Sequence, residues 1–188
     1  DRRVRDCPLV APLTLSLAAV REFASARLVW QEHCRHPDDG DLLADGGFSR
    51  ANPVKPATAF DWSWSDDGAI GMILGPVQGW SGRALTSEST SPRETGFAIQ
   101  TLVLPAGTYA ATWRARDASG ATSADVGLSV TCDSAKPQNW EKTLRDPRTG
   151  QWEARFTVPA GCPAQWLSLR IAPGVKSVTV DDVTVSRR

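Results

Sequence analysis

Four cysteines, two histidines and several adjacent acid pairs are the side chains with the most obvious chemical potential in this chain. Cys7, Cys34, Cys132 and Cys162 are widely spaced, and none forms a CxxC pair. His33 and His36 lie close together, with no paired cysteines near them beyond Cys34. A zinc site built from paired ligands is therefore not expected. An even cysteine count at wide spacing fits two disulfides. Four cysteines allow three connectivities, and pairing Cys7 with Cys34 and Cys132 with Cys162 keeps each bridge inside one region. Each bridge would close a loop of roughly 30 residues and stabilise the fold by about 3–4 kcal/mol. Disulfides place the chain outside a reducing cytosol, so the periplasm, secretion or the cell surface is expected.

Catalytic constellations are sparse. Neither histidine has an evident serine or cysteine partner. The pairs Asp38-Asp39, Asp66-Asp67 and Asp181-Asp182 are adjacent in sequence. A glycosidase instead needs two carboxyls facing each other across a cleft, about 5–9 Å apart. The sequence gives no ground for expecting an enzyme. Tryptophan is the more suggestive residue, with eight against a single tyrosine. Trp62, Trp113 and Trp152 alternate with polar residues beside aliphatic ones and read as interior. Trp166 falls on the face opposite Leu167 and Leu169. Trp80 lies in a glycine-flanked loop, and Trp140 lies in an irregular loop beside Asn139. These three, with Arg114 and Arg116 on the face away from Trp113 and with Asn139, are the candidate ligand contacts.

The elements that must position them are mostly strands. The stretch 42–64 divides the chain. Before it, Leu17, Val20, Ala24 and Leu28, widened by Phe23, Ala26 and Trp30, predict one helix over 13–34, preceded by an irregular segment 1–12. After it, strands are expected over 59–65, 69–74, 83–88, 95–104, 108–117, 123–132, 151–158, 165–172 and 177–185, each bounded by Gly, Pro, Ser or Asp. Residues 133–150 read as a long loop with one edge strand. Short strands without intervening helices imply a mainly β fold, an antiparallel sandwich of the jelly-roll kind with one N-terminal helix. The expected organisation is a helical segment over 1–41 and a sandwich over 42–188.

Charge excludes one class of partner. The chain has 188 residues, with 21 lysines and arginines balancing 21 acids and no long run of one sign. A nucleic-acid partner, which usually requires a basic stripe, is not expected. No apolar run approaches the ~20 residues that span a bilayer. Asp1-Arg2-Arg3 opens the chain with charge, which is unlike a signal peptide and fits a mature chain or an excised piece.

Several motifs together resemble a jelly-roll carbohydrate-binding module. They are Leu42 to Ser49 (an apolar pair, then Asp-Gly-Gly-Phe), Phe60-Asp61-Trp62, Leu104 to Tyr109, Trp113-Arg114-Ala115-Arg116 and Val180-Asp181-Asp182-Val183. The run Phe156 to Leu167 is similar to a version found in proteobacterial proteins, where such a domain follows a tetratricopeptide-like helical region. The resemblance covers about residues 42–185. It implies polysaccharide binding without catalysis, in an exported bacterial protein. It also implies a structural calcium held by the aspartate of the last strand and by a glutamate after Gly-Phe. Here that glutamate is replaced by Ser49, leaving Asp181 with Asp45 nearby, and no other cofactor is expected. A second expectation is a structural domain of an envelope or exopolysaccharide assembly machinery, docking to a protein partner through the helix. A polysaccharide-active enzyme ranks third.

Overall fold

The computed structural model describes residues 2–188 except 41, 52–56, 65–67, 81, 133–137 and 140–141. Two helices, α1 (Arg2–Ala19) and α2 (Phe23–His33), pack against each other as a hairpin. Eleven strands follow among the described residues. They are β1 (Ser63–Trp64), β2 (Ile70–Pro76), β3 (Arg83–Ser89), β4 (Thr95–Leu102), β5 (Gly107–Asp117), β6 (Val126–Cys132), β7 (Gln138–Asn139), β8 (Lys142–Asp146), β9 (Gln151–Val158), β10 (Gln165–Ile171) and β11 (Val178–Arg187). They form a five-stranded sheet, β1-β4-β10-β6-β7, and a six-stranded sheet, β2-β3-β11-β5-β9-β8, with every pairing antiparallel. This is the expected sandwich.

Period-two alternation explains the core. In β5, Tyr109, Ala111, Trp113 and Ala115 are buried between the sheets, while Thr112, Arg114 and Arg116 point outward. Leu167, Leu169 and Ile171 of β10 meet them from the other sheet, and Trp62 and Trp152 complete the interior as expected. Both predicted disulfides are present, Cys7–Cys34 and Cys132–Cys162. The first ties α1 to the end of α2. The second joins the end of β6 to the turn before β10.

The helical region differs from expectation. Two helices replace the single one predicted, and the segment expected to be irregular is part of α1. The break falls at 20–22, where Arg21 adopts φ 67°. Pro8 and Pro12 lie inside α1, and each removes a backbone donor. Packing on α2 and the Cys7–Cys34 bridge hold the helix regardless. The buried face of α2 is Phe23, Ala26, Arg27 and Trp30, whereas Ala24 and Leu28 of the predicted stripe face solvent.

The stretch 42–64 joins the two apolar clusters. Leu43, Phe48 and Trp62 enter the sandwich core, while Ala44 and Phe60 pack with Ala26 and Trp30 of α2. Trp62 Nε1 donates to the Asp45 carbonyl (3.0 Å), and the Phe48 and Trp62 rings lie 5.0 Å apart. Gly46 is required where this loop crosses β11, because a Cβ there would sit 1.8 Å from the Val183 carbonyl oxygen. Of the strand expected over 59–65, the described residues form β1 at Ser63–Trp64 and a turn before it, and residue 65 lies outside the described residues. The Asp61 carboxylate accepts from the Ala57 and Thr58 amides and folds the preceding residues into a turn.

Candidate functional site

Those predicted contact residues that the structure describes divide between the two outer faces of the sandwich. On the five-stranded sheet, antiparallel register sets Trp166 between Thr101 and Thr131. The next row runs Ser63, Ile99, Ser168, Ser129 and Asn139 across all five strands. Among the described residues, these two rows therefore combine one indole and Ile99 with short hydroxyl side chains. Asn139 joins this row through its backbone in β7, and Trp140 lies outside the described residues.

Trp166 lies on the outer face, opposite Leu167 and Leu169, as the alternation predicts. It is half-buried, because the helical hairpin lies against its end of the sheet and Phe23 meets its ring edge-on at 6.5 Å and 88°. A cavity of about 380 Å³ opens beside this aromatic corner. Its floor is sheet (Ser63, Thr101, Trp166), and its walls come from Phe23 and Arg21 of the hairpin and from Asp61. The volume lies within the range of small-ligand sites. Burial pushes the Asp61 carboxyl above its ordinary value, against the lowering effect of the hydrogen bonds from Thr58 and Ala57 and of the nearby Arg50 charge. Asp61 thus brings a partly desolvated acceptor beside an aromatic wall. The sequence did not single out Phe23, Asp61, Ser63 or Thr101 as contacts. The Phe60-Asp61-Trp62 motif was visible, but its position under the hairpin was not.

The hairpin is seated by specific contacts. Trp30 packs on Phe60 with ring centroids 5.8 Å apart. The Arg27 guanidinium lies over both rings, at 4.3 and 5.3 Å. The Ala59 amide donates to Thr14 Oγ1 at 3.2 Å.

Trp80, Arg114 and Arg116 come together on the opposite face, the outside of the six-stranded sheet. The Arg114 and Arg116 guanidiniums lie 4.7 and 5.7 Å from the Trp80 ring centroid. Arg114 also pairs with Asp182, and it lies 3.6 Å from Asp181. Arg116 donates to the Arg148 carbonyl at 3.3 Å.

The candidate calcium ligands lie on β11 and on the 45–48 loop beside it. Asp181 is buried, and its Oδ1 accepts no hydrogen bond among the described residues. Burial raises its carboxyl to about 6, the Asp182 and Asp45 charges adding to the rise while the Asp182 amide and Arg114 oppose it. Asp45 is committed elsewhere: Oδ1 accepts from the Ser49 amide and hydroxyl (2.8 and 2.7 Å), and Oδ2 from the Arg50 amide (2.8 Å). Ser49, in the place of the expected glutamate, thus serves Asp45. Among the described residues, no three His, Cys, Asp or Glu side chains gather to hold a metal. One unengaged carboxylate oxygen falls well short of the six to eight oxygens that calcium takes.

No protein-family model and no curated protein sequence matches the chain. Solved structures share its fold at low sequence identity. A xylan-binding domain of Paenibacillus barcinonensis Xyn10C aligns with a TM-score of 0.53 and 13% identity, over 81% of this chain and 97% of that one. The module TmCBM61, solved in complex with β-1,4-galactotriose, aligns with a TM-score of 0.50 and 14% identity, over 78% of this chain and 97% of that one. The enzymatically active domain of bacteriophage CBA120 tailspike protein 4 aligns with a TM-score of 0.52 and 12% identity, over 78% of this chain and 21% of that one. The chain therefore has the β-sandwich fold of carbohydrate-binding modules, a fold that also occurs within an enzyme.

Proposed function

We propose that this chain is a non-catalytic carbohydrate-binding domain of an exported bacterial protein, and that a glycan lies on the outer face of the five-stranded sheet at Trp166. The observation that carries the reading is the Trp166–Phe23 corner with its 380 Å³ cavity, flanked by Thr101, Ser63 and Asp61. An indole face takes the apolar face of a sugar ring, and hydroxyl and carboxylate oxygens take its hydroxyls. Asp61 is the one carboxylate lining the cavity among the described residues, where bond cleavage by the usual glycosidase route needs an opposed pair. The shared fold with xylan- and galactotriose-binding modules agrees with this reading. The two disulfides fit an oxidising compartment, and no helix of the described chain is long and apolar enough to cross a membrane.

The test is affinity electrophoresis against neutral plant and bacterial polysaccharides, comparing the native chain with Trp166→Ala. One glycan should retard the native chain. The variant, folded by circular dichroism, should bind it about tenfold more weakly, the equivalent of an aromatic contact of ~1.5 kcal/mol. Unchanged retardation would overturn the assignment of Trp166.

A second reading has its own observation. Leu9, Leu13, Val20 and Leu28 of the hairpin are exposed, with Leu9 and Leu13 four residues apart on one helical face. Such a surface suits docking to a protein partner in an envelope or exopolysaccharide assembly. An association seen by sedimentation and removed by Leu9→Lys with Leu28→Lys would favour it, and a monomer indifferent to both changes would count against it.

A further inference from the structure

The outer face of the six-stranded sheet carries an excess of arginine that the balanced composition hides. Glu153 of β9 is buried, and three guanidiniums from different segments converge on it. Arg145 Nη1 lies 2.7 Å from Oε2, Arg188 Nη2 2.7 Å from Oε2, and Arg155 Nε 3.2 Å from Oε1. Burial pushes the Glu153 carboxyl up. The hydrogen bond from Arg155 and the charges of Arg145, Arg188 and Arg155 outweigh it and hold the group below the usual carboxylate range. One negative charge therefore faces three positive ones. The Arg145, Arg155 and Arg188 side chains keep 47%, 71% and 43% of their surface exposed. Each carries five N–H donors, most of them left to solvent.

The cluster continues along β5. Register sets Glu153 opposite Thr112, which shares a hydrogen bond of 2.8 Å with Thr184 of β11. Arg114 and Arg116 follow at two-residue steps, with Trp80 over them. The row from Ala110, opposite Arg155, to Arg116 spans about 20 Å at strand rise. Five arginines along it face three carboxylates, Glu153, Asp181 and Asp182; Asp146 of β8 is taken by Arg148, and Asp117 lies past Arg116 at the end of the strand, so the row keeps a small positive excess. Glu88 is further off, on β3 toward the β2 edge.

The geometry points to this row as a second binding face, for a linear glycan carrying carboxylates, a polyuronate. Guanidinium forks match carboxylates in two-point hydrogen bonding, which a charge alone does not provide. Thr112 and Thr184 place hydroxyls between the arginines, as a polymer of alternating charge and hydroxyl requires. The inference takes from the proposed function only that the partner is a glycan, and its face is separate from Trp166.

The test is calorimetric titration of the folded chain with polygalacturonate, neutral xylan and duplex DNA at 20 and 300 mM salt. The chain is compared with Arg145→Ala/Arg155→Ala and with Trp166→Ala. The row predicts polygalacturonate binding that weakens at least tenfold in the arginine variant and falls with salt, while Trp166→Ala leaves it unchanged. Glu153 keeps Arg188 in that variant, and its melting point checks folding. If Trp166→Ala abolishes binding of a neutral glycan while polygalacturonate never binds, this inference fails and the Trp166 reading stands. If polygalacturonate binds as predicted and no neutral glycan does, the reverse holds. DNA binding as tight as polygalacturonate, through the same arginines, would overturn the assignment to a carboxylated sugar.

Discussion

Asp181→Asn should stabilise the protein at pH 8 and make little difference at pH 4. Asp181 is buried, has an unengaged oxygen, and titrates near 6 rather than at its ordinary 3.8. The native state thus holds a proton that the unfolded state has released between those values. Stability from this group is fully present below about pH 4 and is lost as pH rises through 6. A rise of about two units corresponds to roughly 3 kcal/mol at pH 8, an upper limit because neighbours relax. Asparagine keeps the shape without the charge, so the variant should escape most of that loss. For a chain of this size, each kcal/mol moves the melting temperature by roughly 2–4 °C. The assay is thermal unfolding of both proteins from pH 4 to 8 in chelator, where the difference between them cancels every other titrating group. A difference that is flat with pH, or a variant less stable at pH 8, would show that the Asp181 charge is not a cost to the folded state. Repeating the pH 8 scan with calcium also tests metal binding: stabilisation of the native chain that Asp181→Asn abolishes would establish Asp181 as a ligand.

Three further outcomes follow from the packing. Gly46→Ala places a Cβ 1.8 Å from the Val183 carbonyl oxygen, so the 45–48 loop must leave β11, and urea unfolding should show a loss of several kcal/mol. Unchanged stability would mean that the loop does not lie there. Cys132→Ser with Cys162→Ser frees a 30-residue loop and should cost about 3–4 kcal/mol in the same assay. Trp30→Ala removes the contact with Phe60 and the Arg27 stack, so limited proteolysis should cut the hairpin first and leave the sandwich intact. Simultaneous loss of both would show that hairpin and sandwich unfold as one unit.

The strands and their faces were legible because alternation in a two-sided sheet is a local property. Tyr109, Ala111, Trp113 and Ala115 announce one face of β5, and Trp152 to Val158 announce one face of β9. The disulfide pairing was legible because each pair lies within one region of chain. The break at Arg21 was not, since neither glycine nor proline marks it and the apolar stripe runs through it. For Trp166 the strand pattern shows only which face it is on. That Phe23 lies against that face depends on how the hairpin docks. Trp80 meeting Arg114 and Arg116, and three arginines meeting Glu153, also depend on contacts between segments far apart in the sequence. The alternation does place Glu153 and Arg155 on the face away from Trp152, which was the available signal for that cluster.

Amide and indole chemical-shift mapping reads out whether Trp166 and its cavity hold the glycan. The labelled chain would be titrated with the neutral glycan that retards it in gels. Saturable shifts are expected at the Trp166 indole, Thr101, Ser63 and Phe23, with the outer face of the six-stranded sheet unmoved. Shifts confined to any other surface, with the Trp166 indole unchanged at saturation, would contradict a glycan site at Trp166.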